Sequence, residues 1–186
     1  MKKIPTMFQR NPDNMREIIN EYHPACEWVA DNEGTATRKY DGTCCAIIDG
    51  KFYKRRQVKP GQSMPDDFIE VDRDANTDKI FGWVLVSDAG KEDKPYREAF
   101  NMFADEFDCV ADETFELLGP KVQGNPEKQL SHILQSHLHA ETYGDVPRTF
   151  NALKEWLASK DIEGLVFQHS DGRMAKIKKR DFGQKR

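Results

Sequence analysis

Apolar positions recur along the chain at two different periods, and the period assigns the elements. In P-Y-R-E-A-F-N-M-F-A-D-E-F (95–107), Phe100, Phe103 and Phe107 return at the spacing of one helical face, which predicts an amphipathic helix with a core-facing aromatic stripe. V-P-R-T-F-N-A-L-K-E-W-L-A-S-K (146–160) repeats the pattern, with Pro147 near its first turn. N-P-D-N-M-R-E-I-I-N-E-Y (11–22) reads as a short capped helix, Pro12 early and Ile18, Ile19 and Tyr22 forming its stripe.

Elsewhere the pattern is that of strands. Residues 35–38 form a strand entering Lys39, and T-C-C-A-I-I-D-G-K-F-Y-K-R-R (43–56) is a hairpin turning on Asp49-Gly50. K-P-G-Q-S-M-P (59–65) is loop, and K-I-F-G-W-V-L-V (79–86) is a strand with a buried composition. T-F-E-L-L-G-P (114–120) is a strand ended by Gly-Pro. G-L-V-F-Q-H (164–169) and R-M-A-K-I-K-K (173–179) pair as a hairpin on Ser170-Asp171-Gly172. Hairpins favour antiparallel pairing. The expected fold is α+β, twisted antiparallel sheets flanked by helices, in one domain spanning residues 1–186.

Composition narrows the function. At 186 residues, 38% hydrophobic and 32% charged, the chain can bury a core beneath a very polar surface. No run reaches the length of a membrane span and the start has no signal-peptide h-region, so a cytoplasmic chain without a membrane partner is expected. Cys26, Cys44, Cys45 and Cys109 form no C-x-x-C, and His137 with His139 completes no metal site, which fits a reducing compartment without zinc. A net charge of −4 argues against nucleic-acid binding through overall basicity. The distribution is uneven, however. K-F-Y-K-R-R-Q-V-K (51–59) holds five basic residues and no acid, and the last eleven residues hold six against Asp181. The acids gather in 66–74 and 105–113, so the two basic segments are where an anion would bind.

The chemistry-bearing positions follow one another in order. Lys39 lies two residues before Asp41-Gly42, Glu116 sits mid-strand between Phe115 and Leu117, and Glu163 opens E-G-L-V-F. Lys176 and Lys178 alternate in A-K-I-K, so on a strand both ammonium groups face one side. Singly, each suits a solvated surface. Jointly they supply what nucleotidyl transfer needs: an amine nucleophile, carboxylates for a metal ion and a ribose, and paired cations for phosphoryl charge. There is no G-x-x-x-x-G-K-[ST] and no G-x-G-x-x-G, so no glycine loop cradles the phosphates.

In this order the motifs resemble those of the covalent nucleotidyltransferase superfamily of ATP-dependent ligases and mRNA capping enzymes. K-Y-D-G is similar to its first motif, T-F-E-L-L-G to its third, E-G-L-V-F to its fourth and A-K-I-K to its fifth. T-R-K-Y-D-G-T-C-C, T-F-E-L-L-G-P-K-V-Q-G-N-P-E and D-G-R-M-A-K-I-K-K-R-D-F-G are most similar to short ATP-dependent 5′-to-3′ RNA ligases, cellular and phage-encoded. The likeness spans residues 27–183.

The resemblance implies a nucleotidyltransferase (adenylation) domain without an OB domain, using ATP and Mg2+ or Mn2+ on RNA with 5′-phosphate and 3′-hydroxyl ends. It implies a cytoplasmic setting, a host's where the gene is a phage's. By position, Lys39 would be adenylylated, and Glu163, Lys176 and Lys178 would complete the catalytic set. Glu163 would hold the metal ion and the two lysines would contact the α-phosphate. Glu116 would bind the ribose or a metal-bound water. Arg38, Asp41 and Gly42 would line the ATP site, and Lys54, Arg55 and Arg56 would meet leaving-group phosphates or RNA. Two departures stand out: Cys44 occupies a place where many ligases carry arginine, and 129–140 offers no Phe or Tyr to stack on adenine, leaving His137 or Leu138. A DNA ligase, a capping-type guanylyltransferase, an adenylyltransferase of another target and a non-catalytic nucleotide-binding relative are the rival readings.

Overall fold

The computed structural model describes residues 2–106 and 111–186, whose strands sort into three antiparallel sheets. Phe107 of the expected helical stripe and the Cys109 thiol lie outside the described residues. The architecture is mixed, with antiparallel sheets and few helices, and the chain divides into two compact units, each with its own core.

The first unit comprises Ile4–Tyr40 and Ala140–Arg186. Its first stretch holds β1 (Phe8–Asn11), β2 (Asn14–Tyr22), the short helix α1 (Glu27–Ala30) and β3 (Thr35–Lys39). The helix expected over 11–22 is therefore a hairpin. The signals that suggested a helix cap make a turn instead: the Asn11 side-chain oxygen accepts from the Asp13 N–H at 3.0 Å, and that of Asn14 from the Arg16 N–H at 3.2 Å. Asn and Asp side chains satisfy a nearby N–H equally well in either setting. What decides is burial, since β2 sets Tyr22 opposite the fully buried Phe8 with their rings 4.9 Å apart.

The second stretch of this unit, numbered after the strands of the other unit, contributes β10 (Thr142–Tyr143), α3 (Phe150–Ala158), β11 (Gly164–Gln168) and β12 (Met174–Lys178). The sheet order is β10-β3-β11-β12. Alternation gives it one apolar face, Ala36, Leu165, Phe167, Ala175 and Ile177, in one core with Leu153 and Leu157 of α3. Each large side chain so buried contributes about 2 kcal/mol. α3 is shorter than 146–160 because Thr149 is extended at its N-cap, which leaves Val146 and Pro147 outside the helix.

The second unit comprises Asp41–His139 with Lys2 and Lys3. Its elements are β4 (Thr43–Ile48), β5 (Lys51–Val58), β6 (Ile69–Asp74), β7 (Lys79–Leu85), α2 (Lys94–Glu106), β8 (Glu113–Leu118) and β9 (Ile133–Ser136), with sheet order β6-β7-β5-β4-β8-β9. The β4–β5 hairpin turns where expected, with Asp49 and Gly50 both at positive φ (49° and 70°), as a tight I′-like turn requires. The aromatic stripe of α2 is core: Phe100 stacks on Phe52 at 4.9 Å and Phe103 meets Phe115 edge-on at 5.1 Å. Besides β1, β2 and α1, two further elements, β6 and β10, went unpredicted. β6 lies within a run read only as an acidic cluster, and β10 is two residues long. Among the described residues no helix is long and apolar enough to cross a membrane.

The hairpin assignment is open to mutation. Ile18→Ala should cost about 2–4 kcal/mol in urea unfolding, because Ile18 is buried in the first core, whereas exposed Met15→Ala should stay within about 0.5 kcal/mol.

Candidate active site

Lys39 is the last residue of β3, and register fixes its neighbours. Gly164 of β11 pairs with Lys39 on one side and with Lys178 of β12 on the other, so the two lysines flank a glycine in one row across three strands. A side chain at position 164 would collide with the Ile177 carbonyl and the Lys178 backbone, so only glycine lets the strands approach this closely. Glu163, one residue earlier, is fixed by its carbonyl, which accepts from the Lys179 N–H at 2.9 Å. Its carboxylate then serves both cations. Lys39 Nζ lies 2.5 Å from Oε2, and Lys178 Nζ donates to Oε1. Lys39 also donates to the Tyr40 carbonyl at 3.3 Å.

The electrostatics of this triad follow from its burial. Burial alone would raise the Glu163 carboxyl, but the charges of Lys39 and Lys178 outweigh it and hold the group below its ordinary value of 4.5. Lys178 is pushed down, first by burial and then by the Lys39 charge, with Glu163 opposing both. Lys176 lies two residues before Lys178 on β12, on the same face, with Ala175 and Ile177 buried on the other. Its backbone bonds the N-terminal segment: its N–H donates to the Pro5 carbonyl and its carbonyl accepts from the Met7 N–H. Arg38 points to the opposite face of β3 from Lys39, meets Glu141 at 3.2 Å and lies 4.9 Å from the Tyr40 ring.

The other unit carries the remaining candidates. Glu116 is buried in β8, where Oε1 accepts from the Gly42 N–H at 3.2 Å and Oε2 lies 3.2 Å from His137 Nε2. Gly42 has no room for a side chain against the Leu117 carbonyl and the Glu116 stem. The Asp41 N–H donates to Glu127 at 2.9 Å. Register separates the three cations of β5. Cys45, on the core face, pairs with Lys54, whereas Cys44 pairs with Glu116 on the opposite face, to which Arg55 also points. Arg55 lies over the Phe81 and Trp83 rings at 5.5 and 5.6 Å. Lys54 is instead paired to the buried carboxylate of Asp93, and Arg56 is exposed.

Sequence reasoning missed Asp93, Glu127 and the His137–Glu116 bond. No local pattern marks them, since Asp93 lies 39 residues from Lys54 and Glu127 lies 86 from Asp41. The basic tail is partly spent on structure: Lys179 is buried with its ammonium on the Lys160 carbonyl, and Asp181 pairs with Arg10 at 2.7 Å. No disulfide joins the described cysteines, and among the described residues no three His, Cys, Asp or Glu side chains converge as a metal cage.

No family model matches the chain, and no curated protein matches it. Among solved structures it is similar to an RNA ligase of Naegleria gruberi in its apo form, at 14% identity and a TM-score of 0.40. That alignment covers 94% of this chain and 58% of the ligase, so the chain spans under two thirds of that protein's length. A superposition this loose assigns neither substrate nor residue roles.

Removing Glu163 leaves two neighbouring ammonium groups without their counter-charge. Glu163→Gln should therefore destabilise the chain by about 2–4 kcal/mol at pH 7. Because folding lowers the Glu163 pKa, its contribution is present above the ordinary value of 4.5 and is lost as pH falls through the lower folded value. Urea unfolding of both proteins from pH 7 to pH 3 should show the difference shrinking on the acidic side. A constant difference across that range would contradict the ion-pair account.

Proposed function

We propose that the chain is an ATP-dependent RNA ligase joining 5′-phosphate and 3′-hydroxyl ends, with residues 1–186 acting as one cytoplasmic nucleotidyltransferase domain. The observation that carries this reading is the Lys39–Gly164–Lys178 row with Glu163 between its ammonium groups. The first motif, 124 residues from Glu163, and the fifth, 15 residues beyond it, meet at that carboxylate, and each contributes the residue type that the chemistry asks of it.

In the first step Lys39 Nζ bonds to the α-phosphorus of ATP as the bond to pyrophosphate breaks. The attacking amine must first lose its proton to solvent, and Glu163 Oε2, 2.5 Å away, holds Lys39 Nζ in place. Lys176 and Lys178 share a strand face and present positive charge to the phosphoryl oxygens as charge builds on them. In the second step an oxygen of the RNA 5′-phosphate takes the AMP from Lys39, and the amine leaves. In the third the RNA 3′-hydroxyl attacks that phosphate and AMP departs, leaving a phosphodiester. In-line positioning contributes more to such steps than proton transfer does.

Hard cations commonly pair one or two carboxylates with substrate phosphates, and Glu163 fits that role for Mg2+ or Mn2+, which would neutralise phosphate charge. Glu116 is assigned to the ribose, and Asp41 and Gly42 to the rest of the ATP site, whereas Arg38, also expected there, turns to the opposite sheet face from Lys39. RNA rather than DNA is favoured by the motif likeness, the 2′-hydroxyl being the group that would tell them apart.

Incubation with α-labelled ATP and a divalent cation tests the reading. The wild type should acquire covalent label, and Lys39→Ala and Lys39→Arg should both reduce it below detection, since a guanidinium stays protonated and cannot attack. A labelled arginine variant would remove Lys39 from the role. Sealing of labelled RNA ends separates the β5 cations. Arg55→Ala, on the Glu116 face, should lower sealing by roughly 10-fold or more, and exposed Arg56→Ala by less than about 3-fold. The reverse order would reassign the phosphate contact.

A further inference from the structure

We infer that His137 is a positioning residue, which fixes the carboxylate of Glu116 and through it the sugar of the bound nucleotide. The inference rests on the ligase reading for its consequence but on local geometry for its substance. His137 follows β9, and its N–H extends the ladder by donating to the Thr114 carbonyl at 3.2 Å. Its ring then lies beside two β8 side chains that share one face, Thr114 and Glu116. Nδ1 is 3.0 Å from Thr114 Oγ1, and Nε2 is 3.2 Å from Glu116 Oε2.

Chemistry sets the tautomer. An ionised carboxylate only accepts, so Nε2 carries the proton and donates to Glu116, while Nδ1 accepts from the Thr114 hydroxyl. With Oε1 taking the Gly42 N–H, each Glu116 oxygen has one protein donor and the carboxylate cannot swing. Its remaining lone pairs are left for a ligand hydroxyl. The sequence had suggested His137 as a cover for adenine. The hydrogen bonds engage the edge of that ring, its two nitrogens meeting Glu116 and Thr114.

Two isosteric replacements separate positioning from packing. The side-chain amide nitrogen of glutamine reaches where Nε2 stood, and that of asparagine only where Nδ1 stood. Lysine adenylylation is followed against ATP concentration in His137→Ala, His137→Gln and His137→Asn. His137→Ala and His137→Asn should raise the half-saturating ATP concentration about 10-fold, with maximal rate changed less, and His137→Gln should stay within about 3-fold of wild type. Equal behaviour of the glutamine and asparagine variants would overturn the inference, and this comparison holds even if the alanine variant fails to fold. Nitrogen-15 NMR of the ligand-free protein near pH 8 gives a readout independent of activity. The His137 ring should be protonated at Nε2, and the Nε2–H signal should shift in Glu116→Ala. A ring protonated at Nδ1 would overturn the inference outright. A wild type that takes no label, with the Nε2–H bond intact, would sink the ligase reading and leave the positioning of Glu116 standing.

Discussion

One carboxylate shared by two ammonium groups is the constraint on which the candidate site depends. Glu163 balances Lys39 and Lys178, and the three stay together because a glycine lies between the lysines on the middle strand. Partly buried charges of like sign would repel at this separation, and a partly buried carboxylate would be costly alone. Together they neutralise much of that cost, and the site keeps one net positive charge from the three groups. A phosphate could therefore approach without first expelling an anion.

Each sheet divides its labour between its faces. In the first unit the apolar face of β3, β11 and β12 joins α3 in a core, which frees the opposite face for Lys39, Lys176 and Lys178. In the second unit Cys45, Ile47, Phe52 and Phe115 pack with α2, and the other face carries Cys44, Arg55 and Glu116. Rigid strands aim these side chains, so their directions are set by register and not by loop conformation.

Much of this was legible in the sequence for a physical reason. A period of two in A-K-I-K fixes which side chains share a face, and Asp-Gly at 49–50 admits few backbones besides a tight hairpin turn. Lys39, Glu163 and Lys178 could be named from motif order, although the row through Gly164 and the shared carboxylate could not. The misreading of 11–22 came from signals that are truly ambiguous: Asn-Pro-Asp-Asn suits a helix start and a turn alike, and Ile18 and Tyr22 are four apart in a strand made irregular by register shifts. Partners such as Asp93 for Lys54 and His137 for Glu116 were invisible because long-range pairing, not local spacing, brings them together.

Lys39, Lys176 and Lys178 share one sheet face, and that makes the site of modification the sharpest measurement. Peptide mapping by mass spectrometry, after incubation with ATP and Mg2+ and under conditions that preserve a phosphoramidate, distinguishes the three. The account predicts an AMP adduct on Lys39 and none on Lys176 or Lys178. An adduct on either of those lysines, or a fully folded protein with no adduct at all, would contradict it.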